Sequence, residues 1–131
     1  MKTSIIFLKK SHILTEDFLN RKTKSVLGKD YINYHVNDIP NNLALISEII
    51  KNSEVTYLVF LEDLQDIGKL VNLIKRIRPN NLPILIEIAK SMSNNTSPYK
   101  TKFLNFDSLE EALIYIHGGM SVLAQPTYKK E

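Results

Sequence analysis

Residues 54–91 constrain this chain more than any other part of it. They read EVTYLVFLED, then LQDIGKLVNLIKRIRPNN, then LPILIEIAKS. The outer pieces are short apolar runs rich in β-branched and aromatic residues, the character of strands buried on both faces. The middle piece sets Ile67, Leu70, Val71, Ile74 and Ile77 at helical spacing, with Lys69, Asn72, Lys75 and Arg76 on the other side. Strand, amphipathic helix and strand make a βαβ unit, whose crossover is right-handed in nearly every protein that has one. Val59, Leu61, Ile74, Ile84 and Ile86 are its expected core.

The flanks repeat the same alternation. Residues 4–8 (SIIFL) form a first, central strand. Thr15 is placed to cap a helix whose first turn holds Glu16 and Asp17, favourable at the positive end of the helix dipole. Phe18, Leu19, Lys22, Val26 and Leu27 mark its inward side, and Gly28 its end. Residues 31–36 (YINYHV) alternate, as an edge strand does. Asp38, Pro40 and Asn41 start the next helix, with Leu43, Ile46, Ile49 and Ile50 inward and an end near Asn52 and Ser53. Residues 91–102 (SMSNNTSPYKTK) are polar and without helical period. The strand after them, residues 102–106, could run either way, and we favour parallel, because parallel neighbours need a long crossover and this loop is just long enough. Ser108 and Glu111 form an S-x-x-E capping box before Leu109, Ala112, Leu113 and Ile116, and Gly118 with Gly119 is read as the stop. The expected fold is a three-layer α/β/α sandwich of the flavodoxin type, with five mostly parallel strands in order 2-1-3-4-5 and a fourth helix missing or replaced by a loop. Residues 1–119 would be a single α/β domain and residues 120–131 a C-terminal tail.

Hydrophobic residues make up 44% and charged residues 24% of the 131, the composition of a soluble globular domain long enough to bury its own core. There is no Cys, which excludes disulfides and thiolate metal sites. No apolar run approaches the roughly 18 residues of a membrane span. Lys9 and Lys10 cut short the apolar run near the start, so a first strand explains it better than a signal peptide. A cytoplasmic protein without membrane attachment is expected. The net charge of +3 bears on solubility and gives no ground for nucleic-acid binding. Its distribution is more telling, because Lys9, Lys10, Arg21, Lys22, Lys24 and Lys29 gather near the start, opposed there by Glu16, Asp17 and Asp30.

In an open α/β sheet, ligands sit beyond the carboxyl ends of the strands at the switch point of the strand order, here between the first and third strands. Lys9, Lys10, Ser11 and His12 arrive there from one side, and Glu62, Asp63 and Asp66 from the other. Lys90, Lys100 and Lys102 are expected along the same edge. Lys9, Lys10 and Ser11 near a helix N-terminus could hold a small anion such as a nucleotide or phosphate, with His12, Glu62 and Asp63 beside it. The reading favoured from sequence is a solvated rim in which the lysines pair with Glu62 and Asp63. No glycine wraps a phosphate, so this is neither a P-loop nor a G-x-G-x-x-G site. His12, His35 and His117 have no metal-ligand spacing, and no metal, cofactor or catalytic set is assigned. His35 reads as a half-buried or surface side chain. Glu87 stands inside the apolar run PILIEIA, where a carboxylate needs exposure, a partner such as a lysine, or an interface; exposure or a local ion pair is the reading favoured.

From about residue 54 to 116, YLVFLED, NLIKRIRPNNLPILIEIA and KFLNFDSLEEALIYI together resemble a bacterial response-regulator receiver domain. The resemblance implies this size and strand order, and a chemistry of phosphoryl transfer to an Asp ending the third strand. It implies also an acidic pair holding Mg²⁺, a hydroxyl ending the fourth strand and a Lys ending the fifth. Those positions hold Glu62 (with Asp63 displaced by one), Lys9 and Lys10, Ile88, and Asn105. Two lysines repel a divalent cation, so the phosphorylation site is not retained and phosphorylation of the usual kind is not expected. FLNFDSLEEAL also resembles, over a shorter length, the end of STAS domains. The function these resemblances imply is a non-catalytic signalling or protein-interaction module. Receivers pair through the face next to their fourth helix, so the resemblance points to Tyr99, Phe103, Tyr115, Met120, Val122 and Leu123 as an interface for a protein partner or a second copy in a dimer. The alternative is a binding protein for a small anionic ligand at the carboxyl edge of the sheet.

Overall fold

The computed structural model describes residues 2–10, 14–77, 82–88 and 97–123, with 97, 100 and 120–123 described by backbone alone. The strands are β1 (Thr3–Leu8), β2 (Ile32–Val36), β3 (Val55–Phe60), β4 (Ile84–Ile88) and β5 (Phe103–Phe106). The helices are α1 (Glu16–Leu27), α2 (Leu43–Lys51), α3 (Ile67–Ile77) and α4 (Leu109–Leu123). Short 3₁₀ turns, Pro40–Asn42 and Ser97–Lys102, precede α2 and β5. The sheet is ordered β2-β1-β3-β4-β5, and every neighbouring pair is parallel, β4 with β5 included.

Alternation along the strands sorts the core into two layers. Ile6, Leu8, Leu58, Phe60 and Leu85 face α2 and α3, where Ile46, Ile49, Ile50, Ile67, Leu70 and Ile74 meet them. Ile5, Phe7, Tyr57, Val59 and Ile86 face the other way, onto Leu19, Leu27, Ala112, Leu113 and Ile116 of α1 and α4. Both faces are therefore covered, the reason the central strands read as unbroken apolar runs. Of the five residues expected in the βαβ core, Val59, Ile74 and Ile86 are buried, while Leu61 and Ile84 are half-buried and packed against the second layer.

The ends of α1 follow local chemistry. Thr15 Oγ1 accepts from the Phe18 N–H at 3.1 Å, and Gly28 closes the helix at φ 82°, a left-handed value that favours glycine. Its inward face is Leu19, Thr23 and Leu27; Phe18, expected inward, is exposed, and Thr23 takes the buried place by donating to the Leu19 carbonyl. Asp38 Oδ1 accepts from the Asn41 N–H at 2.8 Å before α2. In α4 the Glu111 N–H donates to Ser108 Oγ, and Glu111 Oε1 accepts from the Asp107 N–H in return. One helix end differs from expectation. α4 runs through Gly118 and Gly119 to Leu123. A Cβ at 119 would lie 2.6 Å from the Tyr57 hydroxyl, so this glycine admits a close side chain instead of stopping the helix.

Glu87, for which exposure or a local ion pair is the favoured reading, is not exposed. It is 7% exposed and accepts from Asn105 Nδ2 at 3.0 Å across the β4–β5 pair. Among the described residues no helix is long and apolar enough to cross a membrane.

Candidate functional site

Because all five strands are parallel, their carboxyl ends share one edge, and the loops leaving β1, β2 and β3 meet there. Lys9 continues β1 by one residue, its N–H donating to the Val36 carbonyl at 3.1 Å, while the Leu61 N–H donates to the Leu8 carbonyl at 2.9 Å. These bonds hold the end of β1 between its neighbours. Lys9 is only 8% exposed, and Lys10 is exposed.

Both lysines line a cleft of about 310 Å³, together with Thr15 and Glu16 at the start of α1 and His35, Val36 and Asn37 at the end of β2. A second cleft of about 390 Å³ adjoins it, and Lys10 and Asn37 line both. Its far side carries Asp38 and Asn41 after β2 and Leu64, Gln65 and Asp66 after β3. Each is of the size that holds a small molecule. The two differ in charge: lysines dominate the first, though Glu16 is there too, and Asp38 and Asp66 face Lys10 in the second.

His35 joins the first cleft through a polar group on the α1 side of β2. Its ring stacks on Phe7, centroids 5.6 Å apart. Nε2 lies 3.0 Å from Asn20 Oδ1, which also accepts from Asn33 Nδ2 at 2.9 Å. With Nε2 as the donor, Nδ1 is the bare acceptor, and it is buried without a hydrogen-bond partner. Burial pushes the His35 pKa below its ordinary 6.5; Glu16 opposes that shift and Lys9 adds to it.

Of the residues singled out as ligand-binding, Lys9 and Lys10 come together in this cleft. Ser11 and His12 lie outside the described residues. Glu62 and Asp63 are half-buried just after β3 and are not among the described residues lining either cleft. Thr15, His35, Asn37 and Asp38 were not assigned to the site from sequence; the strand order implies the last three, since β2 must end beside β1, and Thr15 comes with the start of α1. Lys102 lies at the opposite edge: it immediately precedes β5 in a parallel sheet and lines a groove with Lys75, Leu82 and Pro83. Lys90 and the Lys100 side chain lie outside the described residues. Among the described residues no group of three or more His, Asp or Glu is placed to hold a metal ion.

The residues named as an interface divide. Phe103 is buried, edge-on to Phe60 at 5.3 Å, and Tyr99 is half-buried against the same layer. Tyr115 is 42% exposed and tilts over Phe106. The side chains of Met120, Val122 and Leu123 lie outside the described residues.

No protein-family model matches the chain, and no curated protein matches it in sequence. A structure solved in solution, described as that of a phosphate-loop protein, superposes with a TM-score of 0.53 over 98% of this chain and 100% of the other, at 15% sequence identity. The likeness is one of fold alone.

Proposed function

We propose that the chain is a non-catalytic binding module for a small anionic ligand, seated at the carboxyl edge of the sheet where β1 leads toward α1. The observation that carries this reading is the cleft lined by the nearly buried Lys9 and the exposed Lys10. A cation held in a poorly solvated position acts on an anion with less screening than one in open water. The cleft lies at the same carboxyl edge as the β1–β3 switch point where ligands of open α/β sheets collect, but on the β2 side of β1. It also includes the first turn of α1, whose free N–H groups favour negative charge. The fold neighbour's description as a phosphate-loop protein agrees in kind, as an analogy of fold. Here side chains would do the holding, for no glycine lies between Leu8 and Thr15. Binding without turnover fits the described residues of the cleft: the Thr15 hydroxyl serves as the α1 cap and His35 Nε2 is engaged with Asn20.

Titration of the full chain with inorganic phosphate at low ionic strength, read by amide shifts, tests the reading. Shifts at Lys9, Lys10, Thr15 and His35 should saturate with a Kd on the order of 1 mM, weaken with added salt, and vanish in the Lys9→Gln/Lys10→Gln double variant. Shifts that persist unchanged in that variant would refute it.

A second reading, a receiver-like protein-interaction module, rests on a different surface. Ile114 is 57% and Tyr115 42% exposed on α4, and Leu104 39% exposed on the edge strand β5. Apolar side chains beside an open strand edge favour docking, by another protein or by a second copy in a two-fold dimer. Light scattering over a dilution series, with Ile114→Glu as control, separates the cases. A full-length chain that stays monomeric at high micromolar concentration removes the dimer.

A further inference from the structure

We infer that the ligand is a phosphate monoester of a hydroxyl-rich small molecule, of the sugar phosphate or nucleoside monophosphate class, with its phosphate at Lys9 and Lys10 and its hydroxyls at Asp38, Gln65 and Asp66. The inference rests on the anion-binding reading and adds the adjoining cleft to it. The two clefts share Lys10 and Asn37, so one molecule can occupy both. An inorganic anion would use the first alone and leave the second as water.

The second cleft is rich in acceptors. Asp38 takes the Asn41 N–H at 2.8 Å on Oδ1 and Asn41 Nδ2 at 3.3 Å on Oδ2. An ionised carboxylate has about four lone-pair sites, so acceptor capacity remains. Asp66 Oδ1 lies 3.8 Å from Lys69 Nζ, a long and partly solvated ion pair that leaves the carboxylate open to stronger donors. Hydroxyl groups are neutral donors that suit such acceptors. A second phosphate would be repelled by Asp38 and Asp66, and an ammonium group would face Lys10. Three strand ends build this arrangement: β1 delivers the lysines, β2 delivers Asn37 and Asp38, and β3 delivers Gln65 and Asp66. Asp66 has φ 69°, among described residues a positive value otherwise held by Gly28. Asparagine adopts that conformation readily, which makes Asp66→Asn a substitution that removes charge while keeping shape.

Glu16 qualifies the first cleft in a testable way. Its carboxylate stands among the lysines and opposes a phosphate dianion, so Glu16→Gln should tighten every phosphate ligand alike.

The experiment is a calorimetric and amide-shift titration of the full chain at pH 7.5 with inorganic phosphate, ribose, ribose 5-phosphate and AMP. Ribose 5-phosphate should bind about tenfold tighter than phosphate, the scale of one or two hydrogen bonds to a charged group. Asp66→Asn, its fold checked by amide-spectrum overlay, should erase most of that advantage, while inorganic phosphate, relieved of a carboxylate near Lys10, should bind no more weakly than before. Lys10→Gln should weaken both. AMP binding more tightly than ribose 5-phosphate assigns the nucleotide source, and the reverse order assigns the sugar phosphate. Phosphate bound as tightly as ribose 5-phosphate, or an advantage untouched by Asp66→Asn, overturns the inference while the anion site stands. Binding of neither overturns both.

Discussion

His35 is held on two sides, by the Phe7 ring and by Asn20, and its Nδ1 is buried with nothing to donate to it. Burial lowers its pKa, so the unfolded chain takes up a proton before the folded one does. Stability should therefore be unaffected by this group well above pH 6.5 and should fall as pH drops through 6.5 toward the folded-state value. Denaturant unfolding at pH 7.5 and 5.5 should show a loss on acidification that is smaller in His35→Gln; equal losses would mean His35 titrates as in the unfolded chain. Glu87 illustrates what residue type alone conveys. Its place in an apolar run marks it as a carboxylate needing an explanation, and that much is legible. Part of the explanation is Asn105, brought opposite by the register of β4 on β5, and no local pattern encodes a pairing made across the intervening loop. The same holds for His35, whose cleft depends on where β2 ends relative to β1.

At the scale of elements, starts were more legible than stops. Thr15 and Ser108 make the caps their spacing predicts, and Asp38 accepts from the Asn41 N–H in the turn that leads into α2. The end of α4 was not legible, because a glycine pair can mark a C-cap or a close approach, and the approaching group comes from β3. The two glycines should consequently respond in opposite directions to the same change. Gly118→Ala meets nothing within 4 Å and should stabilise by up to about 1 kcal/mol through helix propensity. Gly119→Ala drives a methyl group into the Tyr57 hydroxyl and should destabilise by about 1–3 kcal/mol, the range for overpacked sites. Thermal or denaturant unfolding of the two variants checks this, and a stabilised Gly119→Ala would mean the Tyr57 contact yields freely.

For the molecule as a whole, the fold was legible because each level of the sequence agrees with the next: unbroken apolar strands, one-sided helices and capped turns all require a sheet covered on both faces. The direction of β5 was the one open point, since residues 91–102 carry no period from which to read a crossover. Ile74 tests the resulting core. It sits on α3 within the layer that also contains Leu58, Phe60 and Leu85, and it is 9% exposed. Ile74→Ala should cost about 2–5 kcal/mol by denaturant unfolding, the usual range for buried aliphatics. A change below about 0.5 kcal/mol, typical of the surface, would mean α3 presents another face.

The all-parallel sheet also bears on how the chain reaches this state. Parallel neighbours cannot be joined by a hairpin, so every strand pairing here must first close a crossover loop, and folding belongs on the slower, millisecond-to-second side. β1 is the extreme case. It needs β2 on one edge and β3 on the other, and its second edge stays open until Phe60 has been made. At about 5–20 residues per second, that is a delay of several seconds on the ribosome. The strand that leads into the two lysines is made before both of its neighbours, and it waits for β3 before it is closed on both sides.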